Sequence, residues 1–202
     1  MTAVIGLTIA ASEAAWAGIG LRTQDAISWV GGVRLRFTSN PASPGSALVG
    51  WTLTGSPTAA SSIDGLSTDY DDGVEPTSWT HDLGANAIDH VVVMTSSIER
   101  TCRAIETATG APLKRIREAG AVRQGFHRLG PVIAEVVESD RVTAATASFW
   151  GFVLVVDDLH EVAGRLGPDL ISSPKPAVQP GRWIASFREA AGLGLPLALM
   201  SS

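Results

Sequence analysis

Ile88-Asp-His-Val-Val-Val-Met-Thr-Ser-Ser-Ile-Glu-Arg-Thr-Cys-Arg-Ala-Ile105 decides the fold. Its first eight residues are mostly β-branched and short in extent, the signature of a buried strand. Ser96 followed by Glu99 reads as a capping box, in which hydroxyl and carboxylate satisfy the first orphan N–H groups of a helix. Ile98, Cys102 and Ile105 then recur at i, i+4 and i+7, one apolar helix face. Gly110 ends that helix and Pro112 follows. Beyond it lie three strand-like runs, Leu113 to Glu118, Val122 to Leu129 and Val132 to Glu138, with turns at Gly120 and Gly130-Pro131. The order is β, α, β, β, β.

The same order recurs downstream. Phe149 to Val156 reads as a strand, Asp158 with Glu161 as a helix cap, and Leu159, Val162, Ala163 and Leu166 as the apolar helix face. A short strand near Leu170 to Ser172 and a stiff loop at Pro174, Pro176 and Pro180 precede two last strands, Arg182 to Arg188 and Leu195 to Met200. The Gly192-Leu-Gly194 turn joins them. Without a gap, His90-Val-Val-Val-Met-Thr pairs with Gly151-Phe-Val-Leu-Val-Val, an internal repeat of pattern. A third, degenerate copy is expected at 1–54: a strand at Val4 to Ile9, a helix opened by Ser12, then strands at Ile27 to Val30, Val33 to Phe37 and Leu48 to Leu53. Turns are expected at Gly31-Gly32 and at 41–45. Residues 55–86, with the polar run 58–62 and Asp69-Tyr-Asp-Asp-Gly73, read as a polar linker, and 87–202 as the paired domain. The fold class is α+β: repeated βαβββ modules, two paired around a cleft, with a degenerate N-terminal third.

Composition narrows the function. The chain has 202 residues, 45% apolar and 17% charged, and a net charge of −5, a soluble globular balance that argues against nucleic acid. The basic stretch Lys114, Arg115, Arg117 and Arg123 is interrupted by Glu118 and reads as a solvated strand face. No apolar run is long enough to cross a membrane. The single cysteine, Cys102, precludes an internal disulfide, and a cytoplasmic location is expected.

Two strings within this pattern, Ile88-Asp-His-Val-Val-Val and Phe126-His-Arg-Leu-Gly-Pro-Val-Ile-Ala-Glu-Val-Val, together with the module order, resemble the vicinal oxygen chelate superfamily. That group holds glyoxalases, bleomycin-resistance proteins, extradiol dioxygenases and methylmalonyl-CoA epimerases. The resemblance covers Ile88 to Met200 well and the N-terminal part in outline. It implies two modules curved around a cleft, with a divalent metal ion held by one residue from the first and one from the last strand of each. His90 and Glu135 match two of these ligand positions. Gly151 and Leu199 or a neighbour occupy the other two and bring no donor. The metal site is therefore expected to be degenerate, and the sequence leaves the cofactor unnamed.

Other residues are open to two readings. Gln124, Phe126 and Arg128 alternate on one strand face, a substrate wall if that face is inward and ordinary surface if outward. Trp150 and Trp183 are either core or an apolar wall of the cleft. His127 is expected to be exposed, and His160 to be at the surface. The first functional reading is a glyoxalase/bleomycin-resistance/dioxygenase-like protein that binds a small molecule in its cleft. The alternative is a metal-dependent lyase, isomerase or dioxygenase. There His90 and Glu135 would be ligands, His81 or a second subunit would supply a third, or Glu135 would act as the catalytic base on a carbon acid. A structural or interaction module is the third class. A homodimer is expected, because an isolated N-terminal module would leave sheet edges bare.

Overall fold

The computed structural model describes residues 2–39, 45–55, 61–73 and 77–202; the turn expected at 41–45 and the polar run 58–62 fall largely outside these. In chain order the elements are β1 (Val4–Ile9), α1 (Glu13–Gly18), β2 (Ile27–Val30), β3 (Val33–Phe37), β4 (Leu48–Leu53), β5 (Ser62–Ile63) and β6 (Leu66–Tyr70). There follow β7 (Ala85–Thr95), α2 (Ile98–Thr109), β8 (Leu113–Ala119), β9 (Val122–Leu129) and β10 (Val132–Ser139). The last unit is β11 (Ser148–Val156), α3 (Leu159–Leu166), β12 (Lys175–Pro176), β13 (Trp183–Ser186) and β14 (Leu197–Ser201).

The second half is the expected pair of modules. Its eight strands run β12-β13-β14-β11-β7-β10-β9-β8, so the first strands of the two units meet at the centre. β7 and β11 pair antiparallel, while each takes the last strand of its own unit as a parallel neighbour. His90 lies opposite Val153 and Val92 opposite Gly151. Those two pairs exchange under a twofold that carries His90 onto Gly151, so the gapless repeat read from the sequence is the spatial one. The same operation carries Glu135, which pairs with Val92, onto Ala198, which pairs with Val153.

The first half differs from expectation. β4 was expected as the last strand of a single module, yet it pairs antiparallel with β1, as β11 does with β7, and the parallel neighbour of β1 is β3. β4 therefore opens a second shortened unit, whose β5 and β6 lie within the stretch expected to be a linker. The sheet order β2-β3-β1-β4-β6-β5 is a smaller version of the other sheet. Gly6 opposite Thr52 and Thr8 opposite Gly50 repeat the same twofold register. The linker reading failed because short strands rich in Ser, Thr and Asp carry too little apolar periodicity to register.

Helix placement explains why the two sheets share one core. α2 and α3 bury Ile98, Cys102, Ile105, Leu159 and Val162 against the larger sheet. Among the described residues the N-terminal half has only α1, and much of its apolar sheet face, including Leu7, Leu35, Trp51 and Leu53, is left for the larger sheet to cover. Trp16 stacks on Phe152 with ring centroids 5.8 Å apart, and Trp51 meets Phe149 edge-on at 5.3 Å. The apolar face of the N-terminal sheet is thus covered within the chain, while β2 and β5 remain the two end strands of that sheet. Asp64, at the β5–β6 turn, completes the junction. Its carboxylate accepts from Arg100 Nε at 2.9 Å and from Thr101 Oγ1 at 2.5 Å, both on α2.

α2 starts one residue later than the capping box predicted. Ser97 accepts the Arg100 N–H, and Glu138 of β10 accepts the Ile98 N–H. Ser96 instead donates to the Ala144 carbonyl, and Glu99 pairs with Arg123. Asp158 caps α3 as expected, through the Glu161 N–H.

Two histidines are part of this core. His127 was expected to be exposed, but it is fully buried. It points away from Phe126 into the space under α2, where its Nδ1 meets the Ala111 carbonyl at 2.9 Å and its Nε2 has no partner among the described residues. Burial pushes both His127 and His81 below the ordinary imidazole value of 6.5. The unfolded chain then takes up protons near pH 6.5 while the folded chain resists, so stability is full above that pH and falls as the pH drops through it. Thermal unfolding between pH 7.5 and 5.5 is expected to show a falling Tm, with a smaller fall in His127→Gln. An unchanged slope in that variant would count against the assignment.

Candidate functional site

β7 carries the polar centre. Ile88 lies opposite Leu154 and His90 opposite Val153, so Asp89 is the extra residue of a β-bulge. An unbulged strand would send Asp89 and His90 to opposite faces. The bulge instead lets both line the same cavity. Asp89 Oδ2 lies 2.7 Å from His90 Nδ1, and Arg182 Nη1 donates to Asp89 Oδ1 at 2.6 Å. The His90 contact, reinforced by Arg182 and opposed by burial, holds the Asp89 carboxyl down at about 2. Asp89 is then an acceptor only, so the proton of this hydrogen bond sits on Nδ1.

With Nδ1 fixed, Nε2 faces Glu135, whose Oε2 is 3.2 Å away. Glu135 projects from β10 beside Val92, and its other oxygen accepts from Gln124 Nε2 at 2.5 Å. Arg117 on β8 fixes the Gln124 amide by donating Nε and Nη2 to its Oε1, at 2.9 and 2.5 Å. A continuous line of contacts therefore crosses the sheet: Arg117, Gln124, Glu135, His90, Asp89, Arg182. A hydrogen bond between Nε2 and Oε2 needs one proton, on nitrogen or on oxygen. Both residues line the cavity, within reach of a bound molecule.

The cavity around this line has a volume of about 470 Å³, within the range of small-molecule sites. Phe126, Ile133, Ile184, Met200 and Val178 supply its apolar lining. Ile184 and Met200 pack with Val153 and Ala198 into a small apolar cluster on this face, separate from the main core.

Of the residues singled out in the sequence, His90, Glu135, Gln124 and Phe126 come together here. Arg128 does not line the cavity; it is exposed and donates to the Pro131 carbonyl. Trp150 is the extra residue of a bulge on β11 and is 47% exposed. Trp183 lies beside His160 on α3, with ring centroids 5.1 Å apart, outside the cavity lining that its neighbour Ile184 joins. His81 cannot be a third ligand. Its Nδ1 accepts the Arg22 N–H at 3.0 Å and its Nε2 binds the Trp29 carbonyl at 2.9 Å, so both nitrogens are used inside the fold. Sequence reasoning missed Asp89, Arg115, Arg117, Lys175, Gln179 and Arg182. The alternation of Arg115 and Arg117 about Ile116 was a signal for an inward pair, but the surrounding charges read as solvated.

The donor set does not fit a four-ligand metal centre. Gly151 and Ala198 take the positions equivalent to His90 and Glu135. A Cβ built at Gly151 would lie 2.0 Å from the Pro196 carbonyl oxygen. No side chain fits there without moving backbone. Among the described residues no group of three or more His, Cys, Asp or Glu side chains is placed to hold a metal ion.

No protein-family model and no curated protein sequence matches the chain. Among solved structures, a triple-substituted variant of 4-hydroxymandelate synthase from Streptomyces coelicolor aligns with 98% of this chain and 92% of its own. The TM-score is 0.66 and the identity 13%. Both sheets are therefore matched in one superposition. The chain has the vicinal oxygen chelate fold. At that identity the likeness is one of architecture. Methylmalonyl-CoA epimerase from Mycobacterium tuberculosis covers 58% of this chain and 89% of its own, with a TM-score of 0.49 and 11% identity. No helix among the described residues is long and apolar enough to cross a membrane.

Proposed function

We propose that the chain binds a small organic molecule in the cleft of its second sheet, with His90 and Glu135 as the polar centre and no metal ion held by a full ligand set. The observation that carries this reading is the line of contacts from Arg117 to Arg182 over an apolar floor, in which His90 Nε2 and Glu135 Oε2 stand 3.2 Å apart and both residues line the cavity. Apolar walls with a few convergent polar groups are what a binding site needs. A reducing, cytoplasmic setting suits the buried free Cys102. The test is an NMR screen of small molecules against uniformly labelled protein. Hits are expected to perturb His90, Phe126, Glu135 and Met200 together, and to lose affinity in His90→Ala. Hits that map elsewhere would overturn the reading.

The fixed Nδ1 proton favours one second reading, proton transfer at Glu135 on a carbon acid next to a carbonyl. A bound ligand of that type would exchange its acidic C–H hydrogen in D2O. Exchange is expected to fall about 100-fold in Glu135→Gln, with binding retained. Asp89→Asn is expected to slow it also and to shift the His90 ring nitrogen resonances toward the other tautomer. Exchange at the wild-type rate in both variants would sink this reading.

A further inference from the structure

The charges around the cleft say what kind of molecule it takes. The geometry points to a subsite for an anionic group, formed by Arg115 and Lys175, so that the ligand is an acid with an apolar body. This rests on the cleft reading above and names its ligand class.

β8 and β12 are the two outermost strands of the larger sheet, yet Arg115 from one and Lys175 from the other line the same cavity. The sheet curls until its two edges face each other across the opening. Arg115 stacks its guanidinium over the Phe126 ring at 5.0 Å. That stacking presents the planar donors to the opening without using them, and among the described residues they have no hydrogen-bond or ion-pair partner. The Lys175 ammonium likewise has none among the described residues. Arg117 has only the neutral Gln124 amide. The carboxylates in the cavity do not compensate. Asp89 is engaged by Arg182 and His90, and Glu135 by Gln124 and His90. In a chain of net charge −5, this cavity therefore presents three cations without a carboxylate partner among the described residues. A planar fork and a point ammonium on opposite rims suit a carboxylate, sulfonate or phosphate. Phe126, Ile133, Ile184 and Met200 lie inward of them, so the anion sits at the mouth and the apolar body below it, toward His90.

Two dyes that share one body separate this proposal from the cleft reading. 8-Anilinonaphthalene-1-sulfonate carries the anion, and N-phenyl-1-naphthylamine is the same aromatic frame without it. Fluorescence titration of the intact chain is expected to give one site for each. The double substitution Arg115→Ala with Lys175→Ala is expected to weaken the sulfonate dye at least tenfold and leave the neutral dye unchanged. Raising NaCl from 20 to 500 mM should weaken the sulfonate dye on wild type and much less on the double variant. Phe126→Ala should weaken both dyes. Equal loss of both dyes in the double variant, or no loss of the sulfonate dye, overturns the anion subsite and leaves the cleft standing. If Phe126→Ala changes neither dye, both sit elsewhere, and the cleft reading falls together with the subsite.

Discussion

Gly151→Ala is expected to destabilise the protein by more than about 4 kcal/mol, and Gly151→His to yield insoluble or unfolded chain. The cause is local and steric. The new Cβ would stand 2.0 Å from the Pro196 carbonyl oxygen and 2.9 Å from its carbon, both backbone atoms that cannot rotate away. Phe152 donates its N–H to that same carbonyl, so movement there would disturb β11 at the centre of the sheet. Gly164→Ala is the control, because nothing lies within 4 Å of a Cβ there and the residue sits inside α3. It should be neutral or stabilise by up to about 1 kcal/mol. Urea unfolding of both variants checks the contrast. The result also bears on function: the second module cannot regain a metal ligand at the position equivalent to His90 by a single substitution. A soluble Gly151→His protein of wild-type stability would refute that.

Trp16→Ala is expected to cost about 3–5 kcal/mol and to lower the unfolding transition of the whole chain rather than split it in two. Trp16 is fully buried between the sheets, stacked on Phe152 and tilted against Phe37 at 5.5 Å. Its loss opens a cavity lined by both halves, so neither half can relax alone. Trp16→Phe keeps the stacking and removes an indole N–H that has no partner among the described residues, and it should cost much less. Differential scanning calorimetry would show one endotherm in wild type and both variants. Two resolved endotherms in Trp16→Ala, one at the wild-type temperature, would mean that the sheets fold independently.

How much of this was legible beforehand depended on the kind of signal. The paired modules of the second half were, because β7 and β11 are long β-branched runs followed by amphipathic helices with caps and glycine stops. The register carrying His90 onto Gly151 followed from the gapless repeat. The second shortened unit of the first half was not, since its described residues hold no helix and β5 has only two residues. In the site, His90 and Glu135 stood out because they match ligand positions implied by the family resemblance. Asp89 did not, because period-two alternation sends it to the opposite face and only a bulge brings it back. Lys175 belongs to a proline-rich stretch without periodicity and Arg182 to the start of the strand expected at Arg182 to Arg188, and neither pattern shows a convergence that depends on the curl of the sheet. His127 was misplaced for the converse reason: its alternation was read correctly, but the inner face of β9 was not known to be covered by α2.

The most direct test of the central claim is the metal content of the protein purified without chelator or added metal, with His90→Ala alongside. A cleft centred on two donors, with Gly151 and Ala198 completing the ring, should hold well under one tenth of an equivalent of any transition metal, the same in both proteins. Near one equivalent in the wild type, lost in His90→Ala, would contradict it and would require a third ligand that this geometry does not supply.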